Sequence, residues 1–522
     1  MPYSGPPIEH PIYPQDLLKA GLAAHPDADA LISIEDRWTW RELDEKSSHL
    51  AGQYLALGLK PGDRIASFMP NRTALIDHYL ACFKAGLIIV PLNYRYTATE
   101  IDHALEVSGA SALLAHAERD DDLAASKQVA KLPIDVITYS ATDDRPNPRF
   151  EELTAIADQP LPNLDRPAPS APAAIFFTSG STGKPKGVTH TNETFGCMFA
   201  STVAAFKLAP DDITLPASSM SHLGAFLFGF SSMASGAPII VARTFDAHEV
   251  IPLLEKERPT VLAMLPAALI AIVRDHDATP DLFSSLRVCR AGGDKVSLVL
   301  EKEFTAVAGF PIDEGYGMTE VGLITLNPPD GEIRIGSVGQ AIPGFEISLR
   351  DDNHNEVPHA TDGRVWINAR SSTIGYWENT EATEELFRDG WLDSGDVMSA
   401  DPDGYMHFRG RKKQIIVHDS SNICPQEVEE ALCDHHSVAL AGVVGVHDPI
   451  HGENVRAYVT LEEGHERPTV QELIHFARER IGYKAPEEVI FLHEMPMTVS
   501  GKVNRTALKE LTHSRHENHP LR

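Results

Sequence analysis

Along the first third of the chain, hydrophobic and polar residues follow two periodicities, one typical of helices and one typical of strands. The capping-box pair Thr39 and Glu42 precedes apolar residues at helical spacing, which predicts a helix that ends near Gly58. Three further elements follow: a strand over 64–69, a helix over 73–85 that ends at Gly86, and a buried strand over 87–90. Because two strands joined by a helix usually pair in parallel, the pattern predicts a largely parallel, two-sided sheet.

The pattern changes twice farther along the chain. Helices and strands continue to alternate to about residue 330, and short strands with glycine-rich turns then predict a small β-barrel unit. From about residue 412 we expect a compact α+β domain. Its predicted helices cover 426–433 and 469–481, and its predicted strands cover 439–444 and 457–461. The last ten residues are predicted to be frayed.

Composition excludes several classes of function. A chain of 522 residues with 43% hydrophobic content can build at least two globular units. Its formal net charge of −29 argues against nucleic acid or an anionic membrane as a partner, because both require a basic surface. The longest apolar runs, 86–92 and 236–242, are much shorter than the roughly 18 residues of a membrane span.

The N-terminus and the cysteines indicate a compartment. Residues 1–14 are rich in proline and have no basic region followed by an apolar core, so we expect no secretory signal and a cytoplasmic location. The cysteines are scattered and lack metal-ligand spacing, which favours buried thiols in a reducing compartment. They are Cys82, Cys197, Cys289, Cys424 and Cys433.

A glycine-rich segment follows the apolar strand predicted over 174–178. Residues 178–187 read TSGSTGKPKG, in which backbone N–H groups, hydroxyls and lysines can surround phosphate oxygens. The segment is not a Walker A loop, because Thr178 and Pro185 stand where a glycine and a Ser/Thr are required. A flexible surface turn is the alternative, but a string this long favours nucleotide binding. The predicted phosphate ligands are Thr178, Ser179, Gly180, Ser181, Thr182, Gly183 and Lys184.

Other motifs occur downstream in a fixed order. They are Gly315–Glu320 (GYGMTE), Gly336–Gly339 (GSVG), Gly375–Trp377 (GYW), Gly390–Asp396 (GWLDSGD), Gly410–Lys413 (GRKK) and Ser500–Arg505 (SGKVNR). Together with the glycine-rich segment they resemble the adenylate-forming superfamily of acyl-CoA synthetases, luciferases and peptide-synthetase adenylation domains. The resemblance extends from about Thr39 to Leu508.

The resemblance implies an α/β fold with two domains. A large N-terminal domain of two doubly wound α/β subdomains and a small β-barrel would cover 1–412 and bind AMP and the acyl group. A small, mobile α+β domain over 413–522 would carry the catalytic lysine.

The same resemblance implies a nucleotide site. Adenine would stack on Tyr316, with Gly292 and Gly293 on its other side. Thr319 would bind the α-phosphate and Glu320 would hold Mg²⁺, a hard cation suited to a carboxylate. The remaining implied nucleotide ligands are Glu314, Gly315, Gly317, Met318, Asp396 at the ribose hydroxyls, and Arg411 at ribose or phosphate. Read singly, these residues could equally be core or solvated side chains.

Catalytic residues are implied at three further places. Lys502 would bridge the acyl carboxylate and the α-phosphate, because the attack of one anion on another needs positioned cations. His222 would border the carboxylate and gate the acyl pocket, in which Gly224 and Phe228 are expected. Lys413 would be the hinge of the mobile domain. A surface lysine, a structural histidine and a solvated lysine are the respective alternatives.

Two positions depart from the family pattern. Asp419 and Ser420 replace glycines that line the route of the pantetheine arm in the family, so this departure concerns the thiol step more than the adenylation step. Arg364 stands where a glutamate is usual. It lies in the β region and has little bearing on the chemistry.

The leading hypothesis is an AMP-forming acid–CoA ligase that uses ATP, Mg²⁺, coenzyme A and an apolar fatty or aryl acid. A stand-alone adenylating enzyme that delivers to a carrier protein or an amine is one alternative. A catalytically silent nucleotide-binding protein is another, and luciferase-like oxygenation is the least favoured. Whether the chain forms a homodimer is open.

Overall fold

The computed structural model describes residues 2–140, 149–155, 164–178, 185–276, 278–292, 296, 298–412, 414–418, 421–448, 452–462, 464–498 and 502–516.

Strands occur along the whole chain and are numbered in chain order. They are β1 (Tyr3–Ser4), β2 (Asp29–Ile32), β3 (Arg37–Thr39), β4 (Arg64–Phe68), β5 (Ile88–Pro91), β6 (Ala112–His116), β7 (Asp135–Tyr139), β8 (Pro172–Thr178), β9 (Lys186–Thr191), β10 (Thr214–Ala217), β11 (Ile239–Ile240), β12 (Val261–Met264), β13 (Val288–Ala291), β14 (Asp313–Glu314), β15 (Tyr316–Met318), β16 (Gly322–Leu326), β17 (Gln340–Ala341), β18 (Phe345–Arg350), β19 (Gly363–Ala369), β20 (Gly375–Tyr376), β21 (Phe387–Arg388), β22 (Trp391–Ala400), β23 (Met406–Arg411), β24 (Ile416–His418), β25 (Ser421–Ile423), β26 (Val438–Asp448), β27 (Gly452–Leu461) and β28 (Glu488–Phe491).

The helices are α1 (Lys19–Ala24), α2 (Trp40–Ala56), α3 (Thr73–Ala85), α4 (Ala98–Ser108), α5 (Asp120–Ala125), α6 (Phe150–Thr154), α7 (Asn192–Phe206), α8 (Leu223–Ala234), α9 (Ala247–Glu257), α10 (Pro266–Asp275), α11 (Pro280–Phe283), α12 (Leu298–Ala308), α13 (Thr380–Leu386), α14 (Pro425–Cys433), α15 (Val470–Ile481) and α16 (Arg505–His516).

The larger of two compact units comprises Pro2–Ile347 and Ile367–Leu392. It contains two seven-stranded sheets. One has the order β14-β13-β12-β10-β11-β2-β3 and is parallel except for β3. The other has the order β20-β9-β8-β5-β4-β6-β7. Its last five strands in this order pair in parallel. β9 is antiparallel to β8, and β20 is antiparallel to β9. Ligands of such sheets bind at the carboxyl ends of the strands, so those ends are where a site is expected.

Helices α3 and α8 form an aromatic core in this unit. Every residue of α8 except Gly224 is buried. Phe226 of α8 lies edge to face with Tyr79 and Phe83 of α3, at ring-centroid distances of 5.5 and 6.2 Å. Such edge-to-face pairs add to the free energy gained by burial, so α8 is firmly anchored.

Two further sheets follow along the chain. β15, β16 and β17 form a small antiparallel sheet. A six-stranded sheet has the order β1-β18-β19-β22-β21, with β23 also paired to β22.

The smaller unit comprises Ser348–Trp366 and Asp393–Arg522. Its five-stranded sheet has the order β25-β24-β27-β26, and β28 pairs with β27 in parallel. The apolar faces of α14 and α15 pack on this sheet and bury a separate core. This is the α+β domain predicted from the pattern, whereas the predicted boundary between residues 412 and 413 stays a prediction.

Most predicted elements are present. The Thr39–Glu42 capping box begins α2, and Gly86 ends α3 with φ 70°, a conformation that glycine adopts without strain. β4 and β5 are parallel, as the strand–helix–strand pattern predicts. The predicted α/β fold class is confirmed.

Two predictions were wrong in detail. Of the ten residues expected to be frayed, 513–516 form the last turn of α16, whose Leu508 is fully buried against β26 and anchors the helix. The other six, 517–522, lie outside the described residues. Cys424 and Cys433 are only partly buried, unlike the other cysteines, because both lie at ends of α14. No helix within the described ranges is long and apolar enough to cross a bilayer.

Candidate active site

A tight hairpin of the larger unit carries the Gly315–Glu320 motif. Its strands β15 and β16 approach so closely that a Cβ at Gly317 would lie 2.6 Å from the Gly322 carbonyl oxygen. A Cβ at Gly315 would lie 2.8 Å from the carbonyl oxygen of Thr325. Glycine is therefore required at both positions, and the turn of the hairpin presents Thr319 and Glu320.

The predicted adenine-binding residues meet at one sheet edge. β13 and β14 are parallel, with Ala291 opposite Glu314, so Gly292 and Gly315 follow neighbouring strand ends. Tyr316 continues the chain as the first residue of β15. Glu314 is buried and its Oε1 accepts the backbone N–H of Val296 at 3.3 Å. The described part of the predicted adenine site is thus assembled in space.

Glu320 is the expected metal ligand, and it is only 7% exposed. The hydroxyl of Tyr376 donates to its Oε1 at 2.9 Å. Its backbone carbonyl accepts the N–H of Thr373 at 2.7 Å. These contacts orient the carboxylate in a fixed direction.

Thr319 is held from the other side by His190. The imidazole Nε2 of His190 donates to the Thr319 carbonyl at 2.8 Å, and the ring stacks on Phe195 at 5.3 Å. Burial lowers the pKa of His190 to about 4, so the ring is neutral near pH 7. A neutral, buried imidazole is a fixed hydrogen-bond donor, and no charge remains buried without a partner.

The strands on either side of the predicted phosphate loop pair with each other. Thr178 ends β8 and lies opposite Lys186, the first residue of the antiparallel β9. The ammonium of Lys186 lies over the ring of Tyr376 at 4.9 Å, and His103 Nε2 donates to the Pro185 carbonyl at 2.8 Å. Ser179 to Lys184 of the predicted loop, and Gly293, lie outside the described residues.

His222 is the last residue before α8, and Gly224 follows it. A Cβ at Gly224 would meet no atom within 4 Å, so this position faces open space. Phe228, expected in the acyl pocket, is buried and packs edge to face on Phe206 at 5.2 Å. Of the two predicted pocket residues, Gly224 therefore faces open space, whereas Phe228 packs against another side chain.

Two asparagines hold the segment Ser218–His222, here named the gate segment. Asn71 Nδ2 donates to the Ser218 carbonyl and its Oδ1 accepts the Met220 N–H, both at 2.9 Å. Asn93 Nδ2 lies 3.1 Å from His222 Nε2. Sequence reasoning missed both asparagines, although each stands two or three residues after a strand that it predicted.

Asp396 and Arg411 are paired in the smaller unit. They lie opposite each other on β22 and β23, and Arg411 Nε donates to Asp396 Oδ1 at 3.1 Å. Asp396 is 2% exposed, so the arginine neutralises a buried carboxylate. Both predicted ribose-site residues thus occupy one face.

Arg364, which departs from the family pattern, has a structural partner. Its Nε donates to Asp393 Oδ1 at 2.6 Å, and its NH2 lies 2.5 Å from Oδ2. This bidentate pair explains why an arginine is accommodated where a glutamate is usual.

Lys502 belongs to the smaller unit and is exposed. Its backbone N–H donates to Thr498 Oγ1 at 3.1 Å, and its carbonyl accepts the Thr498 N–H at 2.7 Å. Lys413, Asp419 and Ser420 lie outside the described residues.

The described residues contain no cluster of three or more His, Cys, Asp or Glu side chains that could hold a metal. Mg²⁺ commonly binds through one or two carboxylates together with substrate phosphates. A lone, oriented carboxylate such as Glu320 fits that mode of binding.

Comparison with known proteins places this geometry in a family. The AMP-binding enzyme family matches residues 18–377, and the AMP-binding enzyme C-terminal domain matches 427–502. A feruloyl-CoA synthase of an Amycolatopsis species is 34% identical, over 89% of this chain and 92% of its own length. A long-chain-fatty-acid–CoA ligase of Yersinia pestis is 30% identical, over 95% and 93%. The crystal structure of ATP-bound MatB from Rhodopseudomonas palustris superimposes with a TM-score of 0.87 at 26% identity, over 95% and 98%.

Proposed function

Since this chain belongs to the family of AMP-binding enzymes, we propose that it is an ATP-dependent acid–CoA ligase for an apolar aryl or fatty acid. In the first step the carboxylate attacks the α-phosphorus of ATP, which gives acyl-AMP and releases pyrophosphate. In the second step the thiol of coenzyme A attacks the acyl carbon, which gives the thioester and releases AMP.

The hairpin turn at Thr319 and Glu320 is the observation that carries this proposal. His190 and Tyr376 hold it from two sides, at 2.8 and 2.9 Å. Preorganised groups of this kind stabilise charge that develops in the transition state without reorganising during the reaction. We assign Thr319 to the α-phosphate and Glu320 to Mg²⁺, which would neutralise charge on the phosphate oxygens.

Lys502 supplies the mobile positive charge in this proposal. The exposed side chain would bridge the acyl carboxylate and the α-phosphate, two anions that otherwise repel each other. Asp396 would accept the ribose hydroxyls, and Arg411, already bonded to it, would reach ribose or phosphate.

The apolar residues of α8 beside the gate segment support the proposed substrate class. Gly224 faces open space, and Leu227 and Phe228 on the next turn of α8 are buried apolar residues. Since an unpaired buried charge is costly, these apolar surroundings favour an acid that is apolar beyond its carboxylate. A feruloyl-CoA synthase and a long-chain-fatty-acid–CoA ligase among the relatives support this class.

The thiol step depends on residues outside the described ranges. Lys413 is the proposed hinge, and Asp419 and Ser420 would narrow the route of the thiol relative to glycine. Changing both to glycine should raise thioester formation and leave acyl-AMP formation unchanged, whereas Lys413→Ala should slow the thiol step alone. Rapid-quench measurement of both products in one reaction tests this division.

A screen of acids tests the function itself. Pyrophosphate release is measured with ferulic, other aryl, long-chain fatty, dicarboxylic and amino acids, with and without coenzyme A. We expect apolar acids to be preferred and a thioester to form with coenzyme A. A preference for dicarboxylic or amino acids would overturn the substrate class. Acyl-AMP without thioester at every coenzyme A concentration would favour delivery to a carrier protein or an amine.

A further inference from the structure

Asn93 has its side chain fixed by its own turn. It stands two residues after β5, and its backbone carbonyl accepts the Tyr96 N–H at 2.9 Å. Its Oδ1 accepts the Arg95 N–H at 2.9 Å. Because the oxygen of the amide is taken up by this turn, the nitrogen Nδ2 must point the other way, toward His222 at 3.1 Å.

This orientation determines which ring nitrogen of His222 carries a proton. An amide nitrogen can only donate, so Nε2 of His222 must accept and is unprotonated. The neutral ring then carries its proton on Nδ1. The ring makes no capping bond at the start of α8, and the positive end of the helix dipole there opposes a second positive charge.

We propose that Asn93 is a positioning residue that keeps His222 neutral, with its proton on Nδ1, so that the gate can move. The inference rests on the proposed function, in which His222 borders the acid substrate. A neutral ring does not form an ion pair with the carboxylate. The ring can therefore leave for the thiol step without losing an ion pair to the acid substrate.

Asn93→Asp replaces the hydrogen-bond donor that faces His222 with an acceptor and hardly changes the shape of the side chain. A carboxylate can only accept, so it requires a proton on Nε2 and favours the imidazolium. A charged ring would hold the acid more tightly and resist opening. We expect the KM for the acid to fall and the thiol step to slow about tenfold, a larger decrease than that of acyl-AMP formation.

The tautomer is measured directly by ¹⁵N NMR of the free protein labelled in histidine. The signals of His222 are those lost in His222→Gln. We expect an unprotonated Nε2 in the wild type and a protonated Nε2 in Asn93→Asp. Asn71→Asp is the matched control, because Asn71 holds only the backbone of the gate segment. Its effect should fall on both half-reactions, with no change of tautomer.

A protonated Nε2 in the wild type would overturn the proposal. So would an Asn93→Asp variant that slows both half-reactions equally, since a merely structural role predicts that result. If the wild type releases no pyrophosphate with any acid, the proposed function fails. The NMR measurement uses no substrate and still decides the role of Asn93.

Discussion

Asp77 is a buried carboxylate that no mechanism described above requires. It lies on α3, is 0% exposed, and neither carboxylate oxygen has a hydrogen-bond partner among the described residues. Burial raises its pKa to about 7, against the opposing attraction of Lys46 and Lys84. The side chain is therefore neutral in the folded protein at pH 5 and charged at pH 8, and ionising it without partners is costly.

The cost can be worked out by linkage. An aspartate carboxyl in the unfolded chain has an ordinary pKa of 3.8, and burial raises the pKa of Asp77 to about 7 in the folded protein. Between these values the folded state binds more protons than the unfolded state, so the free energy of unfolding falls as pH rises. The difference of about three pH units corresponds to about 4 kcal/mol, of which about 3 kcal/mol is lost between pH 5 and pH 8.

Asp77→Asn removes this titration and keeps the shape of the side chain. Urea unfolding followed at pH 5 and pH 8 should show the variant gaining stability over the wild type as pH rises, by about 3 kcal/mol between the two conditions. Asp211→Asn, at an exposed position, serves as the control and should show little change. An equal difference between Asp77→Asn and wild type at both pH values would refute the reasoning.

Three further predictions concern catalysis. Lys502→Ala should slow pyrophosphate release by on the order of 10²–10³-fold while equilibrium dialysis shows ATP binding largely intact; adenylation at the wild-type rate would refute its role. Tyr376→Phe removes one hydroxyl from Glu320 and should raise the Mg²⁺ concentration for half-maximal pyrophosphate release about fivefold, with calorimetry of Mg–ATP binding as a second readout. His190→Leu should reduce the adenylation rate about tenfold through Thr319, and His190→Gln, which keeps a donor, should recover part of it; equal losses in the two variants would show that the donated bond is unimportant.

Local structure could be predicted well from the sequence where one signal dominates. The capping box at Thr39 and the helix-ending Gly86 act through neighbouring backbone groups, so both are visible in a few consecutive letters. The prediction of fraying was wrong for residues 513–516, because it relied on their position near the chain terminus. The fully buried Leu508 anchors α16 by a tertiary contact that composition does not reveal.

The candidate site, like the fold, was predictable from the sequence only where the signal is local. Contiguous motifs such as Gly315–Glu320 were found, because every residue of the turn is supplied by one stretch of chain. The residues that orient them were not found. His190 and Thr319 are 129 residues apart, as are Asn93 and His222. Nothing local in the sequence marks one member of such a pair as the partner of the other.

The ends of parallel strands indicate which distant polar residues belong to the site. Asn71, Asn93 and the gate segment follow β4, β5 and β10, while Gly292 and Gly315 follow β13 and β14. Each of these strands ends at the edge of a parallel sheet where ligands bind. Polar residues within three positions of the end of a predicted parallel strand are therefore the ones to test first. Asn71 and Asn93 meet that criterion from the sequence alone, once the strands over 64–69 and 87–90 are predicted. His190 does not, because it lies inside the antiparallel β9, and only the fold could reveal its contact with the Thr319 carbonyl.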